Sequence, residues 1–108
     1  VGVSPSQMGD EIIQHGAEII GANCGNGIEG MIQIVKEIRK VNNTIPVLIH
    51  ANAGIPIYKD GATVFPETPE QMAGFVNQLI DAGANIIGGC CGTTPEHIRK
   101  IVEIVRAV

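Results

Sequence analysis

Ala82-Gly83-Ala84-Asn85-Ile86-Ile87-Gly88-Gly89-Cys90-Cys91-Gly92-Thr93-Thr94-Pro95-Glu96-His97-Ile98 is the stretch from which the rest of the chain can be read. Asn85-Ile86-Ile87 has the branching of a buried strand, and Thr94-Pro95 reads as the N-cap and first residue of a helix. Between them lie glycines and two adjacent cysteines. Side chains alternate along a strand, so Cys90 and Cys91 would face opposite ways if it simply continued. Gly88, Gly89 and Gly92 permit a backbone break that lets both thiols turn to one point.

The stretch has a twin earlier in the chain. Ser4-Pro5-Ser6-Gln7-Met8 and His15-Gly16-Ala17-Glu18-Ile19-Ile20-Gly21-Ala22-Asn23-Cys24 resemble Thr68-Pro69-Glu70-Gln71-Met72 and Ala82 to Cys91. Aligned on Gly16-Ala17-Glu18-Ile19-Ile20-Gly21, Cys24 falls on Cys91 and Asn23 on Cys90. In two parallel βα units such positions are expected at the same height, beyond the carboxyl ends of the strands. The repeat thus brings three thiols to one rim.

Outward from these two segments, helices alternate with strands. Ser4-Pro5 opens a helix in which Met8, Ile12 and Ile13 form a short apolar stripe, and a strand is expected over 18–22. A helix over 28–41 carries Met31, Ile34, Val35 and Ile38 at helical spacing. Val47-Leu48-Ile49-His50-Ala51 is a nearly continuous apolar strand, as expected when both faces are covered. A loop over 52–67 leads to one helix, capped at Thr68, that buries Met72, Phe75, Val76, Leu79 and Ile80 and stops at Gly83. The last helix starts at Pro95 and is expected to turn Ile98, Ile101, Val102 and Val105 inward. Alternation of this kind predicts an α/β fold with a parallel sheet. A (β/α)8 barrel takes about 250 residues, so residues 1–108 read as its C-terminal part, the last three βα units and the helix before them.

Composition narrows the function. The net charge of −4, without a basic stripe, argues against nucleic acid as partner. No apolar run approaches the roughly 20 residues that span a bilayer, and no charged-then-apolar leader opens the chain. An odd number of cysteines, three, makes a poor disulfide framework. Reduced thiols in a cytoplasmic enzyme are the expectation.

Three soft sulfur donors point to a metal, zinc first. The plainer readings are small buried hydrophobes or a strained vicinal disulfide. Three thiolates leave one tetrahedral position open, as in catalytic zinc sites, and a thiolate-rich centre favours alkyl transfer to sulfur over water activation. His50 and Asn52 end the middle strand, near the same rim. His50 reads as a packed histidine. Asn52 either lends its amide oxygen to the metal, orients substrate, or opens the loop as an Asx-turn. His15 and His97 read as surface residues, and Glu29, Glu70 and Glu96 as first-turn acids favoured by the helix dipole. Gly25-Asn26-Gly27 could cradle an anion at a helix N-terminus. Two alternatives stay open: a metal-free binding or catalytic barrel whose late glycines grip a phosphate, and a structural zinc module.

Gly21-Ala22-Asn23-Cys24-Gly25-Asn26-Gly27, Asn52-Ala53-Gly54-Ile55-Pro56, Glu67-Thr68-Pro69-Glu70 and Gly88 to Ile98 together resemble the homocysteine S-methyltransferase family, most closely its cobalamin-dependent, homocysteine-binding branch. The resemblance implies a TIM barrel whose zinc is held by Cys24, Cys90 and Cys91 and activates the homocysteine thiol for methyl transfer, giving methionine. Asn52 matches the asparagine thought to occupy the metal when substrate is absent. The methyl donor implied is methylcobalamin, carried on a separate domain or protein. The barrel's N-terminal part, with most groups for the amino acid's amine and carboxylate, is implied as a further partner, so the segment alone is expected to be inactive.

Overall fold

Three helices start by one device. Ser4, Thr68 and Thr94 each accept the backbone N–H three residues on, while the side chain there (Gln7, Gln71 or His97) returns to the cap's own N–H, and proline follows each cap. The structure, a computed structural model, describes residues 2–108. In chain order the elements are α1 (Pro5–Gln14), β1 (Ile20–Cys24), α2 (Ile28–Val41), β2 (Val47–Ala51), β3 (Ile57–Lys59), β4 (Ala62–Val64), α3 (Pro69–Ala73), α4 (Val76–Ala82), β5 (Ile86–Gly89) and α5 (Pro95–Arg106).

β1, β2 and β5 form a parallel sheet in that order. Right-handed crossovers between neighbours in sequence order place the intervening helices on one side. The burial pattern agrees: Ile20, Val47, Ile49 and Ala51 are buried under the helices with Met31, Val35, Ile38, Met72, Val76, Leu79 and Ile101. On the other face Leu48 and His50 are half-buried and Ile86 is 44% exposed. The continuous apolar run of β2 therefore meets a helix layer on one side only. The resulting slab measures 45 × 36 × 18 Å, thin as a single sheet with one helical layer must be.

The end of the sheet where the strands begin is fastened by Arg39 of α2. Its guanidinium donates to the Gly83, Asn42 and Ile45 carbonyls and to Asn85 Oδ1, which in turn accepts the Val47 N–H. Bonds that fan out in this way suit the planar fork of arginine.

Several expectations change. The first strand lies over Ile20–Cys24 rather than 18–22, so Cys24 closes the strand. The loop over 52–67 contains an antiparallel hairpin, β3–β4, turned by Asp60-Gly61 with φ of 52° and 81°. Positive φ at both central residues is the type I′ turn that Asp-Gly favours. The single helix expected after Thr68 is two: the ladder slips at Gly74 and Phe75, where Phe75 N–H bonds to Met72 O, three residues back. In α5 Ile101 is buried, but Ile98, Val102 and Val105 are 38%, 37% and 43% exposed. Val102 and Val105 line the open groove beside the β5 edge. Repeat-equivalent residues also sit at different heights: Gly21 pairs with Leu48, and Leu48 with Ile86, two residues before Gly88. Such a stagger is the shear of parallel strands that tilt. No described helix is long and apolar enough to cross a membrane.

Candidate metal centre

Each cysteine is placed by the end of a strand. Cys24 is the last residue of β1 and has a left-handed backbone, φ 61°, followed by Gly25 at 63°. Cys90 follows β5, and its N–H continues the ladder onto Ala51 O at 2.8 Å. There the chain turns back. Thr93 donates from both N–H and hydroxyl to Cys90 O, and Gly92 takes φ 79° with Phe65 packed over its Cα. A Cβ at Gly92 would overlap the Phe65 ring, so the tight turn needs glycine.

The segment after β2 holds these pieces together. Asn52, 5% exposed, donates from Nδ2 to Gly25 O (3.1 Å) and accepts the Cys91 N–H at Oδ1 (3.0 Å). Its amide thus bridges the residue after Cys24 to Cys91 itself. Ala53 N–H bonds to Cys91 O at 3.0 Å, and Glu67 N–H bonds to Ala53 O at 3.0 Å.

The sulfurs of Cys24, Cys90 and Cys91 converge. Sγ of Cys91 is 3.9 Å from each of the other two, and Cys24 and Cys90 are 2.7 Å apart. Zn–S bonds of about 2.3 Å at tetrahedral angles put sulfurs ~3.8 Å apart. Two sides of the triangle already match, and the third needs to open by roughly an ångström to fit a tetrahedral face. Cys91 is exposed while Cys24 and Cys90 are half-buried, so the triangle opens to solvent through Cys91. Among the described residues this is the one convergence of three or more Cys, His, Asp or Glu side chains.

Crowding perturbs the thiols. Cys24 is pushed up to about 11, chiefly by its hydrogen bond with the Cys90 sulfur, then by burial and by the other thiols. Cys90 is held below the ordinary thiol value, chiefly by the same contact. Three thiolates at this spacing would repel one another, and a bound divalent ion would offset that repulsion and reverse the upward shift.

Other sequence candidates fall elsewhere. The His50 ring lies over Gly88, whose Cβ, if present, would be 2.6 Å from it, and it takes no part in the sulfur triangle. His15 is exposed at the end of α1. His97, expected on the surface, is buried at 6% exposure. Thr94-x-x-His97 has the spacing of Ser4-x-x-Gln7 and Thr68-x-x-Gln71, and that signal was available in the sequence. Gly27 at the start of α2 packs on Gly54 and beside the Glu67 carboxylate, which disfavours an anion there. A groove of about 630 Å³ runs between the β5 edge and α5 among Ile86, Ile101, Val102 and Val105, with Asn85 and Arg106 also lining it.

The homocysteine S-methyltransferase family profile matches residues 1–105. Methionine synthase of Mycobacterium leprae is 35% identical over 94 residues, 83% of this chain and 8% of that protein. Methionine synthase of Mycobacterium tuberculosis is 34% identical over 94 residues, with the same coverage. The chain thus spans under a tenth of the length of these relatives. Its fold matches part of the homocysteine methyltransferase MmuM from Escherichia coli, solved in metallated form, with a TM-score of 0.66 and 23% identity over 89% of this chain and 27% of that one.

Proposed function

The chain belongs to the homocysteine S-methyltransferase family, and on that premise we propose that Cys24, Cys90 and Cys91 hold a catalytic zinc ion at which homocysteine is methylated to methionine. The observation that carries this reading is the sulfur triangle at the strand ends, with two sides at 3.9 Å and one face open to solvent. Zinc bound there would supply Lewis acidity toward a fourth sulfur, keeping a thiol of ordinary pKa near 8.5 ionised at neutral pH.

The chain's own residues do the rest. The turn from Cys90 to Thr93 and the Asn52 bridge hold the three sulfurs in register before any ligand arrives. Such preorganisation avoids a reordering cost at the moment of binding. In the balanced reaction the thiol proton goes to water, sulfur bonds to the methyl carbon, and the bond to the donor's leaving group breaks with its electron pair staying on the donor. Asn52 is a candidate for the fourth metal position when substrate is absent. To serve there its Oδ1 must share or release the Cys91 N–H.

In the same reading, residues 1–108 form the last three βα units of a TIM barrel, with the preceding helix α1. The open face with Leu48, His50 and Ile86 would then line the barrel interior, and the barrel's earlier strands would cover the β1 and β5 edges. The methyl donor is methylcobalamin on another domain or protein, and the compartment is the cytoplasm, where thiols stay reduced. Three sulfur donors, one of them exposed, favour a catalytic over a structural zinc, which takes four.

The test is the zinc content and X-ray absorption of the intact protein. One zinc per chain with three sulfurs, rising to four on addition of homocysteine, is the expected result, and Cys90→Ala or Cys91→Ala should lose metal and turnover together. A metal-free active protein, or a sulfur count that homocysteine leaves unchanged, would sink the reading.

A further inference from the structure

His97 is a buried imidazole with both nitrogens engaged, one locally and one at long range. Nδ1 accepts the Thr94 N–H at 3.2 Å and lies 2.8 Å from Thr94 Oγ1, while Nε2 lies 2.8 Å from Glu67 O. A carbonyl oxygen only accepts, so Nε2 carries the hydrogen, and Nδ1 must be bare to receive the Thr94 N–H. The contacts therefore fix the neutral Nε2–H tautomer. In the two other capping boxes the third-position residues, Gln7 and Gln71, are exposed and bond only to their own caps. A histidine at this position adds a donor that reaches 30 residues back along the chain.

That reach closes a circuit through the metal centre. Glu67 N–H bonds to Ala53 O, and Ala53 N–H bonds to Cys91 O. The turn from Cys91 to Thr94 is thereby pinned at both ends to one segment, by Asn52 and Ala53 at Cys91 and by His97 at Thr94. Losing either pin lets the turn pivot on the other. We propose that His97 is a positioning residue of the metal centre, whose Nε2–H to Glu67 O bond holds the Cys90–Cys91 turn in ligating geometry; this rests on the zinc reading of the three thiols.

Two substitutions in the intact protein separate the local bond from the long one, read with Co²⁺ as the probe. The Oδ1 of asparagine stands where Nδ1 does, so His97→Asn keeps the cap acceptor but falls short of Glu67 O. The longer His97→Gln keeps both an acceptor for the cap and an N–H for the carbonyl. Partners behind metal ligands are typically worth about 10–100-fold in metal affinity. We expect His97→Asn to weaken Co²⁺ binding by about 10-fold or more and to alter the thiolate-to-cobalt charge-transfer bands. His97→Gln should restore most of both. Wild-type Co²⁺ affinity in the Asn variant, or equal losses in the two, would overturn the proposal while leaving the metal reading standing. Absence of Co²⁺ binding by the unsubstituted protein would remove both. Independently of any variant, the His97 ring nitrogens in an NMR spectrum should report neutral Nε2–H, and an Nδ1–H tautomer would refute the tie.

Discussion

Cys24 and Asp60 are the two non-glycine residues with positive φ among those described. Asp60 has the ready cause of a hairpin turn. Cys24 stands where β1 gives way to the turn at Gly25-Asn26, and a left-handed backbone costs a residue with a Cβ about 1–2 kcal/mol. That cost is borne at the residue whose sulfur must leave the strand's alternation to meet Cys90, and backbone strain gathers at functional sites. The meeting of the three thiols was legible in the sequence. This torsion was not, because it depends on where the strand ends rather than on which residue ends it. Glu67 is a second strained point: its Oε1 is buried without a hydrogen-bond partner. Burial, and then the nearby Glu29, hold its carboxyl above the usual range. A raised carboxyl pKa favours the fold while it is protonated, an advantage lost as pH rises through the raised value. Glu67→Gln should therefore raise the urea midpoint of unfolding at pH 8, and that gain should shrink as pH falls toward the ordinary carboxylate range. The gain will be small, since the residue is only partly buried. A gap constant with pH, or a loss, would contradict this account.

Elements were legible where periodicity and caps agree. α1, α2 and the start of α5 lie where Ser4, the apolar stripe through Val35, and Thr94-Pro95 put them. The β3–β4 hairpin escaped because its strands are three residues each and exposed, so no alternation announces them. Its one signal is Asp60-Gly61. The slip between α3 and α4 escaped for a different reason: both pieces face the same core through Met72, Val76 and Leu79, so the apolar spacing runs on across Gly74. Gly92 is the residue on which the second cysteine segment turns, with Phe65 against it. Gly92→Ala should lower stability by about 1–3 kcal/mol and displace the hairpin base through Phe65. Chemical denaturation of the intact protein measures the first, and a Gly92→Ala midpoint equal to wild type would mean the turn does not depend on this packing.

At the scale of the molecule, the parallel order and the meeting of thiols at the strand ends follow from the repeat, because equivalent βα units must share a direction. The two-residue stagger did not follow, since strand shear is set by how neighbours pack across the whole sheet. One face of that sheet carries no helical cover, and the outer edges of β1 and β5 have no described strand partner. Residues 1–108 prepared alone should then self-associate with rising concentration, as unpaired edges and open apolar faces invite. Sedimentation showing a monomer at all accessible concentrations would argue that this face needs no cover. Arg39, knotting α2 to the chain around Ile45 and Gly83, lies at the opposite end of the strands from the sulfurs. Durability and the sulfur cluster are therefore governed from separate poles, and an engineer could reinforce or loosen the floor of the fold without retuning its mouth.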